Sequence, residues 1–265
     1  MIMRPEIEFC TIASGSSGNA VCVGIGGQHF LVDAGVSGKR IEHVLFQMNV
    51  RNISGIFITH EHRDHIAGAG VMARRFKVNL YATPLTWRYF AANRSLGELK
   101  AEQIKVIEPG KPIDVGGVTV KAFDISHDAA QPVGYTFETN GKKVATATDL
   151  GCATDTVRDN LKGSNVIMLE SNHDPVMLKN GPYHQALKQR VASTRGHLSN
   201  ADAGVLLAEV ADDKLEHVFL AHLSEDNNTQ MLAFDTVQRI LEGNNVKIKN
   251  LTVAERHTPG NIVKL

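Results

Sequence analysis

Residues 59–65 hold the densest group of potential metal ligands in the chain. The histidines and carboxylates of this segment are His60, Glu61, His62, Asp64 and His65. Neutral imidazole and carboxylate side chains together suit zinc, manganese or iron. A solvated polar loop is the alternative, but three histidines at this spacing around an aspartate disfavour it. Because two metal ions need about seven or eight protein ligands, other segments must contribute.

The position of the 59–65 loop indicates how its side chains are presented. The apolar run 55–58 precedes it and is short and rich in β-formers, so it predicts a buried strand. The loop therefore lies at the carboxyl end of a strand, which is where open α/β sheets place their ligand sites.

Three more candidate ligands follow predicted strands elsewhere in the chain. His127 follows the alternating run 118–123, Asp149 follows 143–148, and His222 follows 218–221. One such histidine is more often a hydrogen-bonded structural residue than a ligand. Four polar positions, all at the carboxyl ends of strands, are better explained by one shared centre.

Taken in order, these residues resemble the ligand set of the metallo-β-lactamase superfamily. The pattern is His60-x-His62-x-Asp64-His65, His127, Asp149 and His222. The resemblance implies an α/β (α+β) fold, an αββα sandwich of two mixed β-sheets flanked by helices. It implies a first metal bound by His60, His62 and His127, a second bound by Asp64, His65 and His222, and Asp149 bridging the two. Asp33, in the first motif of the superfamily, is implied to orient the metal loop from behind the ligands.

A site of this kind performs hydrolysis. Two divalent ions about 3.5–4 Å apart polarise a bridging water into hydroxide at neutral pH and hold the oxygens of a phosphoryl or acyl centre. We therefore expect two divalent ions per chain, zinc or manganese, with iron also open. His62 stands where redox diiron branches carry glutamate, which disfavours oxygen reduction. His65 stands where lactamase branches typically carry another residue, so the chain is more similar to the phosphodiesterase and glyoxalase branches.

A further histidine-bearing loop favours phosphodiester chemistry. Residues 195–200 resemble the Gly-His-Ser/Thr loop of tRNA-processing ribonucleases, whose histidine contacts the scissile phosphate or protonates the leaving oxygen. This resemblance implies His197 as the acid and Glu170 as the group that orients it, with Asp64 completing the catalytic set. The alternative for His197 is a structural role in capping the next helix.

The serine- and glycine-rich 14–19 loop is a candidate for binding an anion. Its small residues let backbone N–H groups approach a ligand, and polar side chains add hydrogen bonds. The candidate substrate-binding residues are Ser14, Ser16, Ser17 and Asn19. A plain β-turn between two strands is an equally good interpretation.

The full ordered set of motifs resembles one bacterial branch still more. Segments 13–19, 169–174 and 196–200 together are similar to the YycJ/WalJ-type proteins, which are associated with metal-dependent 5′-to-3′ DNA exonuclease activity. That resemblance implies nucleic acid, and DNA in particular, as the substrate, with Asn172 and His173 near the site. A glyoxalase II-type thioesterase is the alternative, although that branch usually ends in a helical domain and this chain ends in the strand-like 247–253 and a short tail.

Bulk composition limits the partners of the chain. Its 265 residues carry a formal net charge of +0, so no global field attracts nucleic acid. Segments 74–77 and 188–190 are candidate basic patches, or solvated helix faces. The three scattered cysteines, Cys10, Cys22 and Cys152, form no disulfide framework. Residues 1–6 lack a signal-peptide core and no run reaches membrane-spanning length, so we expect a cytoplasmic protein without a membrane partner.

Alternating strands and helices must position these side chains. Strands are predicted near 7–12, 20–25, 29–32, 55–58, 79–82, 104–107, 118–124, 133–138, 143–147, 165–169, 216–220 and 247–253. Helices are predicted near 38–48, 66–76, 84–94, 155–161, 184–194, 200–210 and 228–242. Residues 1–265 are expected to form a single domain of two similar halves, about 1–125 and 126–265. Each half has the order strand, Asp-x-Gly, helix, strand and polar loop.

Overall fold

The computed structural model describes residues 6–265, which form two mixed seven-stranded sheets. In chain order the strands are β1 (Ile7–Ala13), β2 (Ala20–Ile25), β3 (Gln28–Val32), β4 (Gly55–Phe57), β5 (Leu80–Ala82), β6 (Ile104–Val106), β7 (Ile113–Val115), β8 (Val118–Asp124), β9 (Val133–Thr139), β10 (Lys142–Ala147), β11 (Val166–Glu170), β12 (His217–Ala221), β13 (Asn250–Val253) and β14 (Val263–Lys264). The helices are α1 (Gly38–Gln47), α2 (Arg63–Ile66), α3 (Ala69–Phe76), α4 (Pro84–Asn93), α5 (Asp155–Leu161), α6 (Pro175–Asn180), α7 (Gln185–Val191), α8 (Asn200–Val210) and α9 (Gln230–Gly243), with a 3₁₀ turn at Ala101–Gln103.

Each sheet combines an antiparallel part with a parallel part. The first sheet has the order β14-β1-β2-β3-β4-β5-β6 and is parallel from β3 to β6. The second has the order β13-β12-β11-β10-β9-β8-β7 and is parallel from β10 to β13. Parallel strands end at the same edge of their sheet. The segments after β3 and β4 therefore leave one edge of the first sheet, and those after β10, β11 and β12 leave one edge of the second.

Aromatic side chains fill the space between the two sheets. Phe30 of β3 stacks on Phe137 of β9 with ring centroids 5.2 Å apart, and Phe9 of β1 stacks on Phe219 of β12 at 4.6 Å. Burying one such ring contributes about 1.5–3 kcal/mol. Two further apolar layers lie on the outer faces, where α1, α3 and α4 cover the first sheet and α5, α8 and α9 cover the second. This four-layer arrangement confirms the predicted αββα sandwich.

The structure departs from the predicted elements in short segments. The helix predicted near 66–76 is two helices, α2 and α3, which are separated at Gly68. A Cβ on Gly68 would lie 2.3 Å from the carbonyl oxygen of Val36, so this turn packs its backbone against the loop after β3. The sequence pattern does not predict α6, which begins at Pro175 after the N-cap Asp174. It also misses β7 and β14, whose three and two residues are too few for a periodic signal.

The boundary between the sheets falls between β6 and β7. Strand β8, which lies in the first of the two halves read from the sequence, therefore belongs to the second sheet, and β14 returns to the first. The prediction that residues 1–6 lack a signal-peptide core falls largely on residues 1–5, which lie outside the described residues. Among residues 6–265, no helix has the length and apolar character needed to cross a membrane.

Candidate metal centre

Asp33, Asp149 and His222 leave their strands in the same backbone conformation. They follow β3, β10 and β12 with φ angles of 58°, 56° and 57°. This left-handed region is uncommon for residues other than glycine, although aspartate and histidine are enriched in it relative to other side chains. The pleated alternation of each strand ends at this step, and all three side chains are buried at the site.

His60, His62 and His127 form the first group of potential ligands. One ligand atom from each lies within 4.8 Å of the others. The Nε2 atom of His60 is 2.9 Å from Nδ1 of His62. Behind the group, Nδ1 of His127 lies 3.1 Å from the carbonyl oxygen of Gly196. Because that oxygen only accepts, the ring donates there and keeps its Nε2 for the group.

Asp64, His65 and His222 form the second group, again with ligand atoms within 4.8 Å of one another. Asp33 supports this group, because its Oδ2 accepts a hydrogen bond from Nδ1 of His65 at 2.7 Å. The same carboxylate accepts the backbone N–H and the hydroxyl of Thr59, both at 2.8 Å. Asp33 thus holds both the ring of His65 and the start of the histidine loop, which is the geometry an orienting carboxylate needs.

The carboxylate of Asp149 lies between the two groups. Its Oδ2 is 3.2 Å from Nε2 of His65, and its Oδ1 is 3.6 Å from Nε2 of His127. Oδ1 is also 3.6 Å from Nδ1 of His222. The structure therefore brings all seven residues of the predicted ligand set to one centre, with Asp149 in reach of both groups.

Burial and neighbouring charges divide the histidines into two kinds. Burial lowers the pKa of His60 well below its ordinary value and also lowers the pKa of His127. These two rings are held neutral, which is the form that binds metals. Burial acts the same way on His65, but nearby carboxylates, Asp149 first, outweigh it and raise the pKa of that ring well above the ordinary value. Burial would raise the pKa of Asp149, yet the surrounding histidines hold it well below its usual range.

Glu170, at the end of β11, joins His197 to the second group. Its Oε1 is 2.8 Å from Nδ1 of His197 and 2.8 Å from Nδ1 of His222. Its Oε2 accepts the backbone N–H groups of Leu150 and Leu198. Burial would raise the pKa of Glu170, but the adjacent His197 lowers it to about 2. Burial would lower the pKa of His197, but the carboxylate of Glu170 raises it to about 9.

Helix capping, the alternative role for His197, is performed by another residue. Helix α8 begins at Asn200, and the hydroxyl of the N-cap Ser199 accepts the backbone N–H of Asp202 at 3.1 Å. His197 instead lines a cavity beside the ligand groups, with the Nδ1 side of its ring turned to Glu170. His197 therefore pairs with a buried carboxylate and does not cap helix α8.

The donor set fits divalent metal ions. Nε2 of His222 is buried, and no described residue gives it a hydrogen-bond partner. A buried polar atom in this state costs free energy unless a ligand satisfies it. Five imidazoles and two carboxylates that converge in this way are the ligand types of zinc and manganese.

The 14–19 loop divides into an internal and an accessible part. The hydroxyl of Ser14 accepts the backbone N–H of His222 at 2.8 Å. Oδ1 of Asn19 accepts the backbone N–H of Gly15 at 2.8 Å, and its Nδ2 lies 3.3 Å from Asp64. Ser14 and Asn19 therefore serve the site's own backbone and ligands. Ser16 lines the cavity beside His197, and Ser17 is exposed.

Asn172 and His173 both lie close to the site, with different surroundings. Asn172 donates its Nδ2 to the carbonyl oxygen of His222 at 2.8 Å and lines the same cavity. His173 is buried, and its Nδ1 has no partner among residues 6–265. Asn172 thus holds the left-handed backbone of His222 in place.

Several residues that line the cavity, including Asp128 and Tyr183, have no role predicted from the sequence. Asp128 and Tyr183 both line the cavity, whose volume is about 140 Å³. Arg190 belongs to the 188–190 patch and also lines it, with its Nε donating to Asp128. The position of Asp128 directly after His127 was the available signal. Nothing in the sequence joins Tyr183 to the centre.

Comparison with known proteins identifies the family and the fold. Residues 28–223 match the family model described as a beta-lactamase superfamily domain. Exodeoxyribonuclease YycJ of Bacillus anthracis is 41% identical over 238 residues, covering 89% of this chain and 89% of that protein. Exodeoxyribonuclease WalJ of Streptococcus pneumoniae is 36% identical over 232 residues, covering 87% of this chain and 86% of that protein. The crystal structure of Zn²⁺-bound PqqB from Methylobacterium extorquens shares the fold with a TM-score of 0.71 at 16% identity, covering 97% of this chain and 100% of that chain.

Proposed function

Because the chain belongs to the β-lactamase superfamily, and its similar relatives are exodeoxyribonucleases, we propose that this metal-dependent nuclease removes nucleotides from the 5′ ends of DNA. The nucleic-acid substrate follows from the relatives. The proposal goes further in naming DNA over RNA and the 5′ end over the 3′ end, and the digestion experiment below tests both choices.

Two divalent ions, zinc or manganese, are proposed to be held by the two ligand groups with Asp149 between them. When bound, such ions make a water acidic enough to act as a nucleophile near neutral pH and offset the charge of a phosphodiester. Asp64 is the more accessible carboxylate of the set, with its side chain 27% exposed. Asp33 and Glu170 hold ligand rings in place, so the site needs little reorganisation during the reaction.

The ion pair of His197 and Glu170, beside the ligand groups, is the observation that favours a phosphodiester substrate. Nδ1 of His197 is 2.8 Å from Glu170 and 3.8 Å from Oδ1 of Asp149. A sugar oxygen that leaves phosphorus needs a proton, and a positioned imidazolium supplies it. Glu170 orients this ring, so that its second nitrogen is free to serve a substrate in the cavity.

Digestion of end-labelled nucleic acid tests the substrate and the polarity. DNA and RNA of one sequence are compared with protein reconstituted with zinc or with manganese, and chelator-treated protein is the control. We expect products that shorten DNA from its 5′ end and slower digestion of RNA. Digestion that begins at the 3′ end overturns the polarity, and faster digestion of RNA overturns the choice of DNA.

Metal analysis tests the number of ions. Protein purified without chelator and then reconstituted should approach two ions per chain, because two ligand groups flank Asp149. The proposal of a dinuclear site fails if the protein saturates at one ion and neither Asp64 nor His222 is needed for activity.

The thioesterase interpretation is not favoured, because both nuclease relatives match this chain over most of its length. Rates on bis(p-nitrophenyl) phosphate and on S-lactoylglutathione separate the two chemistries. We also propose that residues 1–265 act as one domain, since the ligands come from both sheets, and that the protein works in the cytoplasm.

A further inference from the structure

We propose that the cavity beside His197 holds the 5′-terminal nucleotide of the substrate, with Arg190 contacting its 5′-phosphate and Tyr183 packing against its base. This cavity, called here the α7 pocket, is about 140 Å³ and is lined in part by Ser16, Asp128, Tyr183, Leu187, Arg190 and His197. The inference rests on the proposed nuclease function and names the part of the substrate that the pocket reads.

The two walls of the α7 pocket differ in chemistry. Helix α7 and the residues before it supply Tyr183, Leu187 and Arg190, and Tyr183 is half-buried with its hydroxyl 3.5 Å from Oγ of Ser224. An aromatic ring at this position suits the face of a nucleobase, whatever the base is. Ser16 and His197 supply polar groups on the side of the metal ligands.

The side chain of Arg190 is 56% exposed and pairs with Asp128 through one nitrogen, so its remaining donors are available. Its Nε donates to Oδ2 of Asp128, and the other carboxylate oxygen of Asp128 is 3.4 Å from Nε2 of His127. The terminal nitrogens of Arg190 donate to no residue in the described part of the chain. Asp128 therefore holds a guanidinium at a set distance from the ligand groups, and its free N–H groups match the oxygens of a phosphate.

The neighbouring cations have other partners. Arg195 donates from Nε and Nη2 to the carbonyl oxygen of His127. Lys188, on the same helix as Arg190, donates to the carbonyl oxygen of Lys179 and does not line the pocket. The net charge of the chain is zero, so it does not attract DNA as a whole. Arg190 instead supplies a positive charge in the pocket, where it can bind a DNA phosphate.

The position of His197 decides which nucleotide occupies the α7 pocket. Hydrolysis adds water to phosphorus and breaks the P–O3′ bond, and O3′ takes the proton from His197. The group that leaves is the terminal nucleotide, so it must lie on the His197 side, in the pocket. It departs as a nucleoside 5′-monophosphate, and the shortened strand begins with a new 5′-phosphate. Each cycle therefore regenerates the end that Arg190 contacts.

Paired DNA substrates with a 5′-phosphate or a 5′-hydroxyl test this inference in metal-loaded protein. A charge-assisted contact contributes a factor of roughly 10–100. We expect the wild type to prefer the 5′-phosphate by about tenfold or more in kcat/KM, mainly through KM, and Arg190→Ala to lose that preference. Tyr183→Ala should raise KM for both substrates, and Tyr183→Phe should restore it because the ring remains.

Two controls isolate the pocket from the chemistry. Lys188→Ala removes one positive charge from the same helix and should leave the preference unchanged. Bis(p-nitrophenyl) phosphate has no neighbouring nucleotide, so Arg190→Ala should lose at least about tenfold less activity on it than on 5′-phosphorylated DNA, with the same metal content. An equal loss on the two substrates would place Arg190 among the groups that serve the metals or the scissile phosphate, and the inference would be wrong.

The remaining outcomes are also decisive. Equal kcat/KM for the two DNA ends in the wild type overturns the inference, as does a preference that survives in Arg190→Ala. If the wild type hydrolyses bis(p-nitrophenyl) phosphate but no DNA, the proposed function fails instead. The pocket is then tested through inhibition of that hydrolysis by a nucleoside 5′-monophosphate. This inhibition must weaken in Arg190→Ala for the inference to stand.

Discussion

Strand β12 has a buried histidine at each end, and the two have different roles. His217 begins the strand, with Nε2 2.8 Å from the hydroxyl of Thr252 and its ring stacked on Phe219 at 4.3 Å. Burial lowers the pKa of His217 to about 4. His222 follows the strand, and its Nδ1 is 2.8 Å from the carboxylate of Glu170. One ring is a neutral part of the core, and the other has a buried nitrogen, Nε2, to which no residue among 6–265 gives a hydrogen bond.

The hydrogen-bond partner of each ring makes the difference. A hydroxyl satisfies an imidazole without charging it, whereas a carboxylate fixes the ring and makes it a stronger ligand. Cavity volume does not make this distinction. A cavity of about 810 Å³ lies at the His217 end, lined by residues that include Asn165 and Glu216. In the part of the chain that the structure describes, every cluster of potential metal ligands lies at the other end.

The largest expected effect is at the carboxylate that joins the two ligand groups. Asp149→Ala should lower nuclease activity by at least about 10³-fold, because both ions contribute charge stabilisation of several kcal/mol. His222→Ala should lower activity less, because His222 serves one group. The two positions share the same φ, so backbone strain does not bias the comparison. Equal and substantial activity of both variants would show that Asp149 does not bridge the groups.

The next effect concerns His197, which pairs with the carboxylate of Glu170 and which the proposal keeps outside the ligand set. His197→Ala should lower turnover on DNA by roughly 10²–10⁴-fold, the range for loss of a general acid. The variant should keep both metals and lose much less activity on a substrate that releases p-nitrophenolate, which needs no proton. Equal losses on the two substrates, or loss of a metal, would return His197 to a structural role.

Asp33 supports a ligand ring without belonging to the ligand set, so its substitution tests whether a carboxylate behind a histidine strengthens metal binding. Asp33→Asn should weaken binding of one of the two ions by about 10–100-fold, because the His65 ring loses its charged acceptor. A metal titration followed by calorimetry should show one ion bound as before and one bound more weakly. Asp174→Asn is the matched control, since Asp174 only caps α6. Identical titrations of both variants would remove the role given to Asp33.

The smallest functional effect is expected at the other end of β12. The folded pKa of His217, about 4, lies below the ordinary 6.5 of the unfolded chain. The unfolded state therefore binds the proton first, so the stability from His217 is present above pH 6.5 and is lost as the pH falls toward 4. His217→Gln should flatten this part of the pH profile by about 3 kcal/mol and leave activity at pH 7.5 unchanged. Parallel denaturation profiles of variant and wild type would contradict the expectation.

Most strand positions and the polar residues at their ends were accessible from sequence because each signal is local, whereas the division into two ligand groups followed from the resemblance to the superfamily. A short apolar run followed by a polar cluster predicts a strand end, as at β4 and the 59–65 loop. Parallel strands then bring those ends together. The same reasoning placed His222 at the end of a strand but could not show what holds its ring, because its partner Glu170 comes from another strand, as does Thr252, the partner of His217.

The α7 pocket could not be predicted from the sequence, because its residues come from separate elements. Asp128 and Arg190 meet only because the loop after β8 and helix α7 fold over the same sheet edge. Ser14 belongs to a loop that suits anion binding, yet its hydroxyl is used by the backbone N–H of His222. Such partnerships depend on tertiary structure, which periodicity does not encode.

The left-handed residues at the three strand ends affect how mutagenesis of this centre is interpreted. An alanine at position 33, 149 or 222 removes a side chain but must still adopt a φ near 57°, as His222 does. Glycine adopts that angle without steric cost, so a glycine variant should be more stable than the alanine variant at the same position by about 1 kcal/mol. This order is the reverse of the one expected inside a helix or strand. Thermal denaturation of the metal-free pairs would measure it, and the difference should be subtracted before a loss in any alanine variant is assigned to chemistry.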